Sequence, residues 1–304
     1  MSPYGLLITH YSPMYEQISS NVRGSIALIF VFIVVIVGLG YLFTQVTGYP
    51  EILPIAVAFA VFSSIGSYYY SDKIVLAMAH ARPATKEEYP HLVNSVEGLA
   101  IAAGLPVPSI YIVDDSAPNA FATGRNPEHA ALAVTTGLLD KMDRTELEGV
   151  IGHEMAHVKD YDIRFMTLVA ILAGMIVLIA DWLLRSFWWG GRRRNRGGGN
   201  PIILVIALAV AILAPIFATL IKLAISRHRE FLADAQGAML TRYPDGLANA
   251  LEKIAADTEP LEVANKATAH MWIANPLKEH GGWTNNLFST HPPIEERIGR
   301  LRAM

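Results

Sequence analysis

Residues 151–162 read IGHEMAHVKDYD, and they carry the clearest chemical pattern in the chain. His153 and His157 stand four apart, so on an α-helix both imidazoles point toward one spot. Glu154 follows the first histidine, about 100° further round the helix. It is close enough to reach a water held at that spot without being one of the ligand pair. This H-E-x-x-H spacing supplies two metal ligands and a general base for hydrolysis. The pattern is short, and a surface helix carrying two solvated histidines has the same spelling.

A tetrahedral site of this kind asks for a third protein ligand. The chain has no cysteine, so that ligand must be His, Asp or Glu. Glu230, within SRHREFLADAQG, fits by position. His157 lies eight residues before Phe165, where one apolar stretch begins, and Glu230 lies eight residues after Lys222, near the end of the next. A short loop joins the two stretches, so they run antiparallel. At 1.5 Å per residue, both side chains then stand roughly 12 Å beyond the membrane on the same side. The bland alternative for Glu230 is a helix-surface charge paired to Arg227 or Arg229; the matched height favours the ligand. Asp234, four residues on, shares its face and is placed to accept the other N–H of a ligating histidine. Asp162 is a lesser candidate for the same task. One zinc ion is the expected cofactor, although two histidines and a carboxylate also hold iron.

The elements that position these residues are set by apolar stretches. Of the 304 residues, 52% are hydrophobic and 17% charged, below the ~25% charged of soluble domains. A net charge of −3 excludes a strongly basic nucleic-acid binder, so no nucleic-acid partner is expected. The uncharged run 25–47 is long enough to cross a bilayer, which takes about 20 apolar residues. A break at Gly48-Tyr49-Pro50 leads to a second run, 52–70, rich in small residues that suit helix contacts in lipid. Runs 165–184 and 201–226 make a second hairpin around the loop 185–200.

Between the hairpins, Thr85 opens a helix to about Ala103, and Ser109–Asp114, Asn119–Gly124 and Ala130–Gly137 read as short strands of a small antiparallel sheet. Thr145 caps the helix carrying the histidines, and no breaker separates that helix from the third apolar run. The last helix follows Pro292 and Pro293. The expected architecture is a mainly α membrane protein: four transmembrane helices plus a zincin-like α+β catalytic domain. In chain order it has a lead-in (1–24), a first transmembrane hairpin (25–70) and a first catalytic segment with the sheet and the histidine helix (71–162). A second transmembrane hairpin (163–226) and a second catalytic segment (227–304) complete it.

HEMAH, then SRHREFLAD after an apolar hairpin, preceded by NAFATG and followed by STHPP, resembles the membrane-bound zinc endopeptidases of the HtpX type. These are relatives of the CAAX prenyl endopeptidases. The similarity covers nearly the whole chain, and four motifs in fixed order are far more specific than H-E-x-x-H alone. The resemblance implies that His153, His157 and Glu230 bind zinc and that Glu154 is the catalytic glutamate. It assigns Asp234 to the R-E-x-x-A-D segment and Asn119, Ala120 and Phe121 to an edge strand that pairs with substrate backbone. It places His291 near the metal, where it steadies an oxyanion; position alone does not single out this residue. It further implies protein or peptide substrates, a role in removing damaged or misfolded membrane proteins under stress, and a multi-pass place in the cell membrane with the catalytic domain facing the cytoplasm.

One feature runs against that orientation. With four spans, the loop Arg192–Arg196 falls outside, whereas the positive-inside rule prefers it inside. Two rival readings remain. A processing peptidase for a specific lipidated substrate would prefer a prenylated peptide over an unfolded protein. A non-catalytic membrane scaffold or transporter would bind metal without cleaving anything.

Overall fold

The structure, a computed structural model, describes residues 5–190, 209, 212–213, 216, 226–264, 267–274 and 291–304. The loop 191–200, most of the fourth apolar run and Ser289–Thr290 lie outside the described residues. Among those described, three helices are long and apolar enough to cross a membrane: Ile18–Gln45, Ile52–Tyr69 and Asp162–Asp181. The first belongs to α1 (Gly5–Thr47), which is unbroken, so the lead-in is the opening turns of the same helix rather than a separate segment. Helix α2 (Ile52–Tyr69) packs back on α1, and α3 (Ser71–Met78) leads toward the sheet. Ala209, Leu213 and Ile216 of the fourth run join the apolar cluster that α1 forms with the third span.

The sheet has four strands: β1 (Arg82–Pro83), β2 (Ser109–Val113), β3 (Ala120–Gly124) and β4 (Ala130–Thr135), in the order β1-β2-β4-β3. It is mixed, not antiparallel as expected. β2 and β4 are parallel, with Ser109 opposite Ala131, while β3 and β4 are antiparallel, with Ala120 opposite Val134. β3 lies one position away from β2, and β4 fills the place between them. The order leaves β3 at an edge.

Helix α4 (Pro90–Ala103) starts at its proline, five residues later than expected, because Pro supplies the helical φ and needs no N–H partner at that position. After α5 (Thr136–Lys141) comes the histidine helix, α6 (Arg144–Lys159). Asp143 caps it, not Thr145: its side chain accepts from the Glu146 N–H, and the Glu146 carboxylate accepts from the Asp143 N–H. Leu92 and Val96, Ile112 and Leu132, Val150 and Ile151, and Leu247 and Leu251 share one core around α6. Those last two sit on α9 (Pro244–Ala256), and α8 (Arg227–Thr241) closes the remaining side. Twelve of the sixteen residues of α6 are buried, His153, Glu154 and His157 among them. A helix enclosed on all sides cannot leave polar side chains unmatched without a penalty of a few kcal/mol each.

The helix expected to run on from His157 breaks, and the one carrying Glu230 has its own start. Tyr161 adopts φ 61, so α6 ends and α7 (Asp162–Gly190) begins as a new helix. Ser226 is extended (φ −131, ψ 110), and α8 starts at Arg227. Glu230 therefore stands in the first turn of its own helix, not eight residues up a straight one. The final helix, α10 (Ile294–Arg302), packs against α8 and α9.

Candidate active site

His153 and His157 lie one turn apart on the buried α6, with their Nε2 atoms 3.2 Å from each other. Each ring is held from behind at Nδ1. His153 Nδ1 is 2.9 Å from Asp234 Oδ1, and His157 Nδ1 is 3.0 Å from Asp162 Oδ2. Donation to those carboxylates leaves each Nε2 with its lone pair outward, so two lone pairs face one another. Glu230 closes the triangle: its oxygens stand 3.9 Å from His153 Nε2 and 3.7 Å from His157 Nε2. Metal bonds of 2.0–2.2 Å in a tetrahedron set ligand atoms roughly 3.3–3.6 Å apart. The donor set, spacing and lone-pair directions therefore fit a divalent cation, and the two carboxylates behind the imidazoles fit its outer partners.

The electrostatics agree. Burial pushes His153 down to about 4, outweighing Asp234. Burial also opposes charge on His157, but Asp162 and Glu230 overcome it and hold that ring up to about 9. Burial works against ionised Glu230 too, yet His291, His157 and Arg297 keep it well below the usual carboxylate range. Glu154 is different. Burial raises it to about 7, with Glu230 adding to the effect, and its carboxyl accepts from the Ala122 N–H on the edge strand β3.

His291 Nδ1 is 3.0 Å from Glu230 Oε2, and its buried Nε2 has no hydrogen-bond partner among the described residues. Asn119, Ala120 and Phe121 are all buried. The Ala120 carbonyl accepts from the Ile273 N–H at 2.9 Å, and the Asn119 side chain donates to the Ala274 carbonyl at 3.2 Å. The outer rim of β3 is thus occupied at its start by the chain's own 272–274 segment, where the Trp272 ring meets that of Phe121 edge-on.

The model for peptidase family M48 matches residues 86–304, well over half the chain. The chain belongs to peptidase family M48. Proteins named "Protease HtpX homolog" are similar along almost the entire length. The one from Dictyoglomus thermophilum is 50% identical over 95% of this chain and 94% of its own. That from Pyrococcus furiosus is 48% identical over 88% of this chain and 91% of its own. The crystal structure of S. mikatae Ste24p shares the fold at 20% identity, with a TM-score of 0.52, covering 98% of this chain and 67% of that one. The protein is therefore an HtpX-type membrane metalloprotease of this family.

The M48 region also holds a residue that no motif points to. Arg297 of α10 is 1% exposed and forks onto Asp234, with Nε 2.9 Å from Oδ2 and Nη2 2.7 Å from Oδ1. Its Nη1 donates to the Ile273 carbonyl at 2.8 Å. One guanidinium thus ties the carboxylate behind His153 to the segment lying on β3. A signal was present: Arg297 falls on the same helical face as Ile294, Ile298 and Leu301, where an apolar residue belongs.

Glycine sets the distance between the two M48 helices that meet here. A Cβ on Gly237 of α8 would come within 2.8 Å of the His153 backbone nitrogen. Gly237→Ala should push α8 away and destabilise the fold by about 1–3 kcal/mol, despite alanine's better helix propensity. Metal affinity should fall with it, because Glu230 moves as α8 moves. A thermal melt and a chelator titration of the variant check both.

Proposed function

We propose that the chain is a membrane-embedded zinc endopeptidase of the H-E-x-x-H, His-His-Glu type. On this reading His153, His157 and Glu230 would hold one zinc ion and Glu154 is the general base. The observation that carries it is the pair of facing Nε2 atoms with the Glu230 carboxylate oxygens 3.7 and 3.9 Å from them. Zinc in such a site polarises a carbonyl and lowers the pKa of water. The rest falls to this chain's side chains. Asp162 and Asp234 fix the imidazole tautomers. Glu154, held against the Ala122 N–H, takes a proton from the attacking water and returns it to the leaving amine. In its charged form His291 donates to Glu230 from Nδ1 and offers Nε2–H to a developing oxyanion.

Substrate then adds as an extended strand along Asn119–Phe121, displacing the chain's own Ile273 N–H from the Ala120 carbonyl, a bond of the main-chain kind a substrate would make. Recognition through backbone is indifferent to side chains, which suits a quality-control enzyme acting on misfolded or damaged membrane proteins. The catalytic segments 71–162 and 227–304 come together where α6 meets α8 and α9. A cytoplasmic orientation in the cell membrane draws on Arg23, Lys73 and Arg164 at the span ends nearest the histidine helix and on a turn 48–51 that carries only Glu51, while the Arg192–Arg196 loop counts against it.

Metal analysis of the purified full-length protein tests the reading. About one zinc per chain is expected. Chelation should remove it together with cleavage of an unfolded substrate such as casein, and re-addition should restore both. Cleavage that survives complete zinc removal rules the assignment out.

A further inference from the structure

The family model begins at residue 86, yet the outer support of the site begins much earlier in the chain. Asn21, in the first half of α1, is 4% exposed. Its amide donates to Asp162 Oδ1 at 2.6 Å and to the Asp160 carbonyl at 2.9 Å. Its own oxygen accepts from Arg229 Nη1 at 3.3 Å. Asn21 therefore touches all three pieces that frame the histidine helix on this side: the end of α6, the start of α7 and the first turn of α8.

The helices are shaped to allow this. One turn beyond Asn21 stands Gly24, and one turn beyond Asp162 stands Phe165. A Cβ on Gly24 would lie 3.0 Å from the Phe165 ring, so the absence of a side chain there lets α1 come close to α7. The Arg229 guanidinium lies over the same Phe165 ring, 5.2 Å from its centre. An asparagine in an apolar helix is costly to bury without partners, and here its side chain finds three.

The consequence runs through Asp162. One carboxylate oxygen receives the Asn21 amide and the other faces His157 Nδ1 at 3.0 Å. We infer that Asn21 is a positioning residue of the active site: the first membrane helix holds the Asp162 carboxylate, and through it the His157 imidazole, at the angle metal binding requires. The inference rests on reading His157 as a metal ligand. It makes α1 a member of the catalytic apparatus as well as an anchor in the bilayer.

A double-mutant cycle on zinc affinity tests it, using the full-length protein in detergent and a competing chelator. Asp162→Ala should weaken zinc binding by about 10–100-fold, as for other outer partners of ligating histidines. Asn21→Ala should weaken it by about tenfold, the low end of that range. In the Asp162→Ala background, Asn21→Ala should add less than about twofold, because its target is gone. Asn21→Asp keeps the size but sets a carboxylate beside Asp162, so it should do no better than alanine; wild-type affinity in that variant would mean Asn21 only fills space. Melting of the zinc-free forms separates these losses from failure to fold, and Asn21→Ser repeats the cycle with a gentler change. Unchanged affinity in Asn21→Ala, or the same tenfold loss in both backgrounds, overturns the inference. A wild-type protein that holds no zinc overturns the ligand reading and this inference with it. A zinc-holding wild type indifferent to Asn21 overturns this inference alone.

Discussion

Glu154→Gln should abolish peptide cleavage, with a loss on the order of 10²–10⁴-fold, while zinc stays bound and the protein melts no lower than wild type. The expectation of a large loss comes from position. Glu154 is 2% exposed, follows one histidine directly, and is held by the Ala122 N–H beside the strand assigned to substrate. Glutamine keeps the shape and accepts the same bond through its amide oxygen, but it cannot take a proton from water. The expectation for stability comes from burial, which disfavours the Glu154 carboxylate strongly enough to raise it to about 7. A neutral amide carries no such penalty. Casein cleavage, bound zinc and a thermal melt on one preparation separate the possibilities. Cleavage retained at near wild-type rate would remove Glu154 from its role. Zinc lost along with activity would mean the residue supports the site instead of acting in it.

How much of this site the sequence discloses follows from how local each signal is. His153, Glu154 and His157 lie within one turn and a half, so helical geometry alone places them together. Glu230 is reached by counting residues from two apolar runs, on the assumption of straight helices. Instead the first helix breaks at Tyr161 and the second segment's helix starts only after an extended Ser226, and Glu230 still arrives at the histidines. The counting works because the apolar runs fix which side of the membrane each segment meets, and packing of α6 on α8 does the rest.

The breaks are not legible. Tyr161 and Ser226 are poor markers of helix ends compared with Gly or Pro, and a left-handed tyrosine is a conformation the tertiary structure imposes. Missing that break also obscures Asp162. On a continuous helix a residue five positions beyond His157 lies about 140° away and cannot return to it. The break turns the start of α7 back, and the carboxylate meets the ring. The sheet misleads for a similar reason. Hairpin signals speak of neighbours in sequence, whereas the parallel pairing of β2 with β4 is set by where β3 finds room. Asn21 and Arg297 share a signal that periodicity does carry: each is a polar residue where the surrounding pattern calls for an apolar one.

Arg297→Met should be the most destabilising single change away from the zinc ligands, by about 3–5 kcal/mol, because it leaves the Asp234 carboxylate buried without its cation. For a catalytic unit of this size that is a drop in melting temperature on the order of 10 °C. Arg297→Lys should recover little, since an ammonium cannot make the two-pronged bond to Asp234 and still reach the Ile273 carbonyl. The informative companion is the double variant Arg297→Met, Asp234→Leu. Replacing a buried ion pair by apolar groups of similar volume is often neutral, so much of the lost stability should return. Zinc affinity should not return, because His153 then lacks the acceptor that fixes its tautomer. Melting and chelator competition on the three variants would thus split the two tasks of one ion pair. If the double variant regains both, Asp234 does nothing for His153, and the site needs only its three ligands.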